Sequence, residues 1–270
     1  YVENMRRLRE YLPQIRPTYM MLVPRFLEAL RDAIVDRVQK APPLRRRLFD
    51  WALALGKRRL RYVLVFKNFG PAAGASIAHT HSQVIATPVI PDNVQAEVIN
   101  SRAFHQKHHR CIFCSLIDEA LTFEATIYDR ESGEIRRKIS VGQYVVERGS
   151  KFIAIKPFAS RYEWEVHILP LQHRCDFLRT PEEDFADLAR VLRRTMARLA
   201  AVLGGAQYNF FLHSLPHDTQ CEDCEASYHW HLEITPRTSI PTGFELGSGL
   251  FVNTVAPEVA AEKLRAVALD

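Results

Sequence analysis

The spacing of apolar residues changes along this chain, and the change falls near residue 60. Leu27, Leu30, Ile34 and Val38 recur every three to four positions, which predicts an amphipathic helix. Ala41-Pro42-Pro43 interrupts that period, Leu44 to Leu55 resumes it, and Gly56 can stop it. Residues 2–11 also read as helical, and Tyr19 to Val23 as a short strand. Beyond residue 60 the runs shorten. Tyr62-Val63-Leu64-Val65-Phe66 predicts a buried strand, and a second strand carries two histidines, His79 and His81, and continues through Val84 to Ala86. Asn93 to His109 predicts a helix. Strands are expected at 125–129, 142–147, 152–156 and 165–169, then a long helix from Glu182 to Leu203 closed by Gly204-Gly205. Strands at Tyr208 to Leu212 and Tyr228 to Ile234 follow, with a last helix from Pro257 to Ala268.

Strands grouped around single helices imply an α+β fold with an antiparallel sheet. The order strand, strand, helix, strand, strand in 142–235 reads as a full unit, and strand, strand, helix in 61–109 as a truncated copy of it. The expected division is therefore a mainly helical segment 1–60, a truncated half 61–110 and a second half 111–270. Charge follows the first boundary: residues 1–60 carry 14 Lys/Arg and 6 Asp/Glu, whereas the remainder carries 22 and 25. The basic residues of the first segment are interspersed with acids at helical spacing, so no nucleic-acid partner is expected. No apolar run is long enough to cross a bilayer, no membrane partner is expected, and the start lacks the layout of a secretion signal. A cytoplasmic location is the expectation. Four of the five cysteines form two C-x-x-C pairs, a spacing that in this setting favours metal over disulfides.

The chemistry gathers at Gly74-Ala75-Ser76-Ile77-Ala78-His79-Thr80-His81-Ser82-Gln83. Residues two apart share a strand face, small residues let a ligand approach the backbone, and a neutral imidazole is a good nucleophile toward phosphorus. Gln83, Ser76 and backbone N–H groups near Gly74 could stabilise charge on phosphate oxygens. A second His-x-His stands at His229-Trp230-His231. Cys111 and Cys114 have the spacing of half a tetrahedral zinc site, with His173 and His229 as the expected other half. Glu97, His213, His229 and His231 make a donor set suited to zinc or iron, and the two sites compete for His229. Cys221 and Cys224 read either as a further metal pair or as a solvated acidic loop.

Those motifs, with Phe66-Lys67-Asn68-x-Gly70, Pro157-Phe158-Ala159-Ser160-Arg161, His229-Trp230-His231-Leu232-Glu233 and Gly243-Phe244-Glu245, give residues 61–268 a resemblance to the galactose-1-phosphate uridylyltransferases of the histidine-triad superfamily. The resemblance implies two histidine-triad-like halves, zinc, a second metal (iron or zinc), and commonly a homodimer. It also implies exchange of a uridylyl group between UDP-glucose and hexose 1-phosphate, with His81 as the attacking residue. On that basis Asn68, Gly74, Ser76 and Gln83 hold the nucleotide phosphates, Glu245 contacts the hexose, and His79 ligates zinc in the first half. The remaining zinc ligands of that half would stand upstream, where there is no Cys before Cys111 and no His before His79. The first-half metal site is therefore expected to be incomplete. Residues 1–60 instead resemble a piece of AMP-forming long-chain acyl-CoA synthetases, through Ile15-Arg16-Pro17-Thr18, Val23-Pro24-Arg25 and Pro43-Leu44-Arg45-Arg46-Arg47-Leu48-Phe49-x-Trp51-Ala52. Alternatives from other classes are a related adenylyltransferase or nucleotide hydrolase, and a catalytically dead remnant that folds around metal.

Overall fold

A computed structural model describes residues 60–77, 79–217 and 223–269. The helices and strand expected within residues 1–58 lie outside that range. The described residues belong to one compact unit, Leu60–Asp270. Its centre is a seven-stranded sheet in the order β2-β1-β8-β9-β7-β6-β5, with every neighbouring pair antiparallel. The strands are β1 (Tyr62–Phe69), β2 (Ser82–Thr87), β5 (Val145–Arg148), β6 (Phe152–Ile155), β7 (Val166–Pro170), β8 (Tyr208–His213) and β9 (His231–Pro236). A separate hairpin pairs β3 (Ala125–Tyr128) with β4 (Ile135–Ile139). The helices are α1 (Asp92–His108), α2 (Ile112–Thr122), α3 (Phe185–Leu203), the single turn α4 (Cys224–Ser227), α5 (Gly243–Ser248) and α6 (Pro257–Arg265).

The expected antiparallel α+β arrangement is present. Strand β1 pairs directly with β8 and carries β2 at the sheet edge, so the two stretches read as separate units contribute to one continuous sheet. One face of that sheet is the core. Phe152, Ala154, Val166, Ile168, Leu232 and Ile234 alternate inward and pack on Val191 and Leu199 of α3 and on Ala260, Ala261 and Leu264 of α6. Burying each large apolar side chain contributes about 1.5–3 kcal/mol. Val191, Thr195 and Leu199 recur at spacings of four on α3, and Gly204 ends the helix in the left-handed region (φ 66°), donating to Ala200 O. Arg198, on the buried side of α3, donates to Glu147 of β5 at 2.9–3.0 Å and to the carbonyls of Leu264, Arg265 and Val267. It thereby ties helix, sheet and C-terminal helix together with charge-assisted bonds.

The structure corrects the sequence expectation at several places. Strand β2 begins at Ser82 and β9 at His231, so both His79 and His81 precede β2, and His229 precedes β9. Helix α2, the strand β4 and the short α5 were not anticipated. Strand β5 begins three residues later than expected because Ser140 to Val145 form turns, with Gln143 N donating to Ser140 O and Val145 N to Gly142 O.

Lys156, just after β6, is 1% exposed; its Nζ donates to Ser160 Oγ and to Tyr162 O at 3.3 Å. Burial pushes its ammonium down to about 8, against the pull of Glu165 and Glu163. A lysine whose folded value is depressed costs stability in full below that pH. The cost fades as pH rises from about 8 toward the ordinary lysine value of 10.5. Lys156→Met is therefore expected to stabilise the protein by up to about 3 kcal/mol at pH 7 and by much less at pH 10. Asn253 Nδ2 already donates to Ser160 Oγ at 2.9 Å and to Tyr162 O at 3.4 Å, so those acceptors stay paired. Urea unfolding at both pH values measures this, and a difference independent of pH would refute the assignment.

Candidate functional site

The sheet face opposite the core carries the candidate chemistry, and register places it. Gln83 pairs with Phe66, Phe66 with Phe211, Phe211 with Glu233, Glu233 with His167, and His167 with Ile155. Cross-strand partners share a face, so these six form one row across β2, β1, β8, β9, β7 and β6. A parallel row runs through Asn68, Asn209 and Thr235. His81 stands one residue before β2 with the parity of Gln83, so it belongs at the edge of the same face.

The turn that delivers His81 begins at Gly70 (φ 86°), passes through a 3₁₀ turn at Pro71–Ala73, and leaves through Gly74 (φ 80°). Gly70 takes a left-handed φ and lies against the Gln207 side chain, a place that favours glycine. Gln207 also accepts the N–H of Ala72. His81 Nδ1 lies 2.9 Å from His79 O. A carbonyl can only accept, so Nδ1 carries the proton and Nε2 keeps its lone pair. His81 is half-buried and His79 exposed. Among the described residues His79 joins no metal-type cluster.

Cys111, Cys114, His173 and His229 converge, each offering a donor within 4.8 Å of the others. The expected set is thus brought together. Cys111 caps α2 and Cys114 lies in its first turn, so one helix entry presents both thiols. His173 follows β7, and His229 precedes β9 at 0% exposure. His173 Nε2 donates to Glu225 O at 2.9 Å and His229 Nε2 to Pro170 O at 3.0 Å. Each Nδ1 is therefore the lone-pair nitrogen, and these lie 3.3 and 3.6 Å from Cys114 Sγ. The Cys111 thiol is held well below its ordinary range chiefly by a hydrogen bond from Cys114, against burial. Two soft thiolates and two oriented imidazoles suit a tetrahedral N/S metal site.

The second cluster differs from the expected one. Glu97, His213 and His231 meet Glu233, and His229 belongs to the thiol site. His213 Nδ1 lies 3.0 Å from both carboxylate oxygens of Glu97. His231 Nε2 is 3.4 Å from Glu233 Oε1, while His231 Nδ1 donates to His229 O at 3.0 Å. Tyr228 Oη donates to Glu97 Oε2 at 3.0 Å. Beside it, Glu165, His167 and Glu233 form a third group, with His167 Nε2 2.8 Å from Glu165 Oε1. Glu233 was missed although it stands two residues after His231, as Gln83 stands after His81, and that spacing places it on the same face. Burial alone would raise the Glu233 carboxyl, but His167, His231 and His213 hold it well below the usual range. Three carboxylates, Glu97, Glu165 and Glu233, face one nearby guanidinium, that of Arg161, which pairs with Glu233. The imidazoles of His167, His213 and His231 stand among these carboxylates, and such a carboxylate and imidazole donor set at a largely buried place suits a divalent cation.

Other expectations fare differently. Glu245 lies in the first turn of α5, where its carboxylate accepts from Thr242 N at 2.8 Å and Thr242 Oγ1 at 2.7 Å as a capping box. Ser76 is exposed in the turn before His81, and Asn68 is half-buried on β1. Cys224 is 2% exposed and disulfide-bonded, which removes it from metal binding. Cys221 lies outside the described residues. None of the described helices is long and apolar enough to cross a membrane.

Residues 44–90 match the family model described as "Domain of unknown function (DUF4931) N-terminal domain". The chain is 30% identical over 211 residues to the ADP-glucose phosphorylase of Arabidopsis thaliana, covering 78% of this chain and 53% of that protein. It is 26% identical over 212 residues to the galactose-1-phosphate uridylyltransferase of Thermotoga maritima, covering 76% and 60%. The chain thus spans little more than half the length of these relatives. Among solved structures it is similar to the Arabidopsis ADP-glucose phosphorylase with bound ADP-glucose (TM-score 0.67, 26% identity, 86% of this chain and 70% of that one). It is also similar to a uridylyltransferase structure (TM-score 0.64, 27% identity, 85% and 69%).

Proposed function

We propose, for a chain that belongs to the family of galactose-1-phosphate uridylyltransferases and ADP-glucose phosphorylase, that residues 60–270 serve nucleotidyl transfer between a nucleotide sugar and a phosphate acceptor through a covalent nucleotidyl-His81. The observation that carries this reading is the bond between His81 Nδ1 and His79 O at 2.9 Å. It fixes the tautomer in which Nε2 is a free nucleophile beside Gln83 and Asn68.

In the first step Nε2 attacks the α-phosphorus, the bond to the bridging oxygen breaks, and the sugar 1-phosphate leaves with the electron pair. In the second, an oxygen of the acceptor phosphate attacks the same phosphorus and the P–N bond breaks. Gln83, Ser76 and the N–H groups around Gly74 would donate to the non-bridging oxygens. Uridylyl exchange between UDP-glucose and galactose 1-phosphate is one form of this reaction. Adenylyl transfer from ADP-glucose is the second, favoured by the 30% identity to an ADP-glucose phosphorylase.

Cys111, Cys114, His173 and His229 would hold zinc, and Glu97, His213, His231 and Glu233 a zinc or iron ion; both would supply rigidity rather than take part in the transfer. The second His-x-His supports this division. His231 repeats the His81 bond to the carbonyl two residues back, but it is 1% exposed and Glu233 replaces the amide donor. A carboxylate there repels phosphate and attracts a cation.

Incubation with UDP-glucose or ADP-glucose labelled at the α-phosphorus, followed by alkaline denaturation and peptide mapping, tests the proposal. Label is expected on the peptide carrying His81, and the nucleotide that labels faster identifies the substrate. No label from either would sink the transfer reading.

A further inference from the structure

Arg237 follows β9 with the parity of Thr235 and Glu233, so it shares the open face and stands opposite Gln207, one step beyond the row of Asn68, Asn209 and Thr235. Its Nε donates to Asn209 Oδ1 at 2.6 Å. That bond fixes the Asn209 amide with its NH₂ toward Asn68 Oδ1, at 2.7 Å, and Ala73 O, at 2.8 Å. Asn68 Oδ1 is thereby occupied as an acceptor, and its own NH₂ remains as a donor. Arg237, Asn209 and Asn68, with Phe66 and Phe211, line a cavity of about 300 Å³. The backbone N–H of Arg237 donates to Gln207 O at 2.7 Å, and Gln207 braces the Gly70 turn that leads to His81. Arg161, Arg174 and Arg198 each meet a carboxylate. Half-buried Arg237 meets none among the described residues; its guanidinium lies over the Tyr162 ring at 5.5 Å. A cation held in a half-buried cavity without a counter-charge, beside oriented amide donors, suits an anionic ligand.

We propose that Arg237 is a positioning residue of the phosphate site, orienting Asn68 through Asn209 and supplying positive charge to the diphosphate of a bound nucleotide. The assignment rests on the nucleotidyl-transfer reading for its choice of ligand, and not on transfer itself.

Equilibrium titration of the full chain with ADP, UDP and the matching nucleosides tests it. Arg237→Gln is expected to weaken the better-bound diphosphate roughly tenfold to a hundredfold, the scale of losing hydrogen bonds to a charged group, and to leave nucleoside binding unchanged. The salt dependence of diphosphate binding should also flatten. Arg237→Lys keeps the charge without the fork and should recover part of the loss, which guards against a variant that merely misfolds. Unchanged diphosphate binding in Arg237→Gln overturns the proposal, as does an equal loss for the nucleoside or a wild-type chain that binds no diphosphate. Arg237-dependent binding without label on His81 would instead retain the assignment and reject transfer.

Discussion

Replacing His81 by Asn is expected to remove the covalent nucleotidyl intermediate and to lower transfer by about 10⁴-fold or more, the scale seen when a nucleophile is deleted. Asn is the informative choice. Its amide NH₂ can still donate to His79 O, which now accepts from His81 Nδ1 at 2.9 Å, so the loop keeps its bond. What is lost is the imine-type lone pair, since an amide nitrogen is not nucleophilic. His81 is half-buried at the edge of the sheet and packs in no core cluster, so the melting temperature should change by no more than about 2 °C. His231 cannot substitute for it: that imidazole is 1% exposed and its Nε2 faces Glu233 at 3.4 Å. Single-turnover labelling and steady-state exchange give the two readouts. Label persisting in the variant would place the nucleophile elsewhere.

How much of this was legible in the sequence depended on whether the signal was local. Helix α3 was legible because its apolar period and its Gly204 stop are both local, and the end of the helix fell where expected. The convergence of Cys111, Cys114, His173 and His229 was legible from ligand chemistry and spacing, although five strands and a long helix separate the thiols from β8, the single turn α4 and His229. The starts of β2 and β9 were not, because the side chains of His81 and His231 bond the carbonyls of His79 and His229 and turn the backbone before each ladder begins. Glu233 was hidden for a different reason. Its spacing from His231 is a local signal for the shared face, but only the pairing with His167 and Phe211 shows which residues of other strands stand beside it. Arg237 lacked any motif at all; its interest comes from Asn209 and from carboxylates that are not near it, and sequence separation conceals both.

Removing the metal expected at Cys111, Cys114, His173 and His229 should lower stability more than any single surface substitution. The four donors join helix α2, the segment after β7 and the segment before β9, and His229 is 0% exposed. Without an ion, the thiols and the lone-pair nitrogens of His173 and His229 face one another with only weak sulfur hydrogen bonds at 3.3 and 3.6 Å to hold them. The Cys114→Ser variant removes one ligand and leaves the remaining polar groups poorly paired. Breaking a buried ion pair costs roughly 3–5 kcal/mol, and with Cys114 half-buried and His173 exposed the lower end of that range applies. At about 2–4 °C per kcal/mol for a domain of this size, the melting temperature should fall by about 6–12 °C. Metal analysis should show the loss of one equivalent, while the ion at Glu97, His213, His231 and Glu233 is retained, because the two sets share no ligand. Because thiolate and neutral imidazole are the binding forms, reloading the stripped protein should release protons, and affinity should fall as pH drops. Cys175 provides the control. It is a free, buried cysteine outside every metal-type cluster among the described residues, so Cys175→Ser should leave metal content unchanged. An unaltered melting temperature and metal content in Cys114→Ser would reject the site; a loss of both ions together would show instead that the clusters form one cooperative unit.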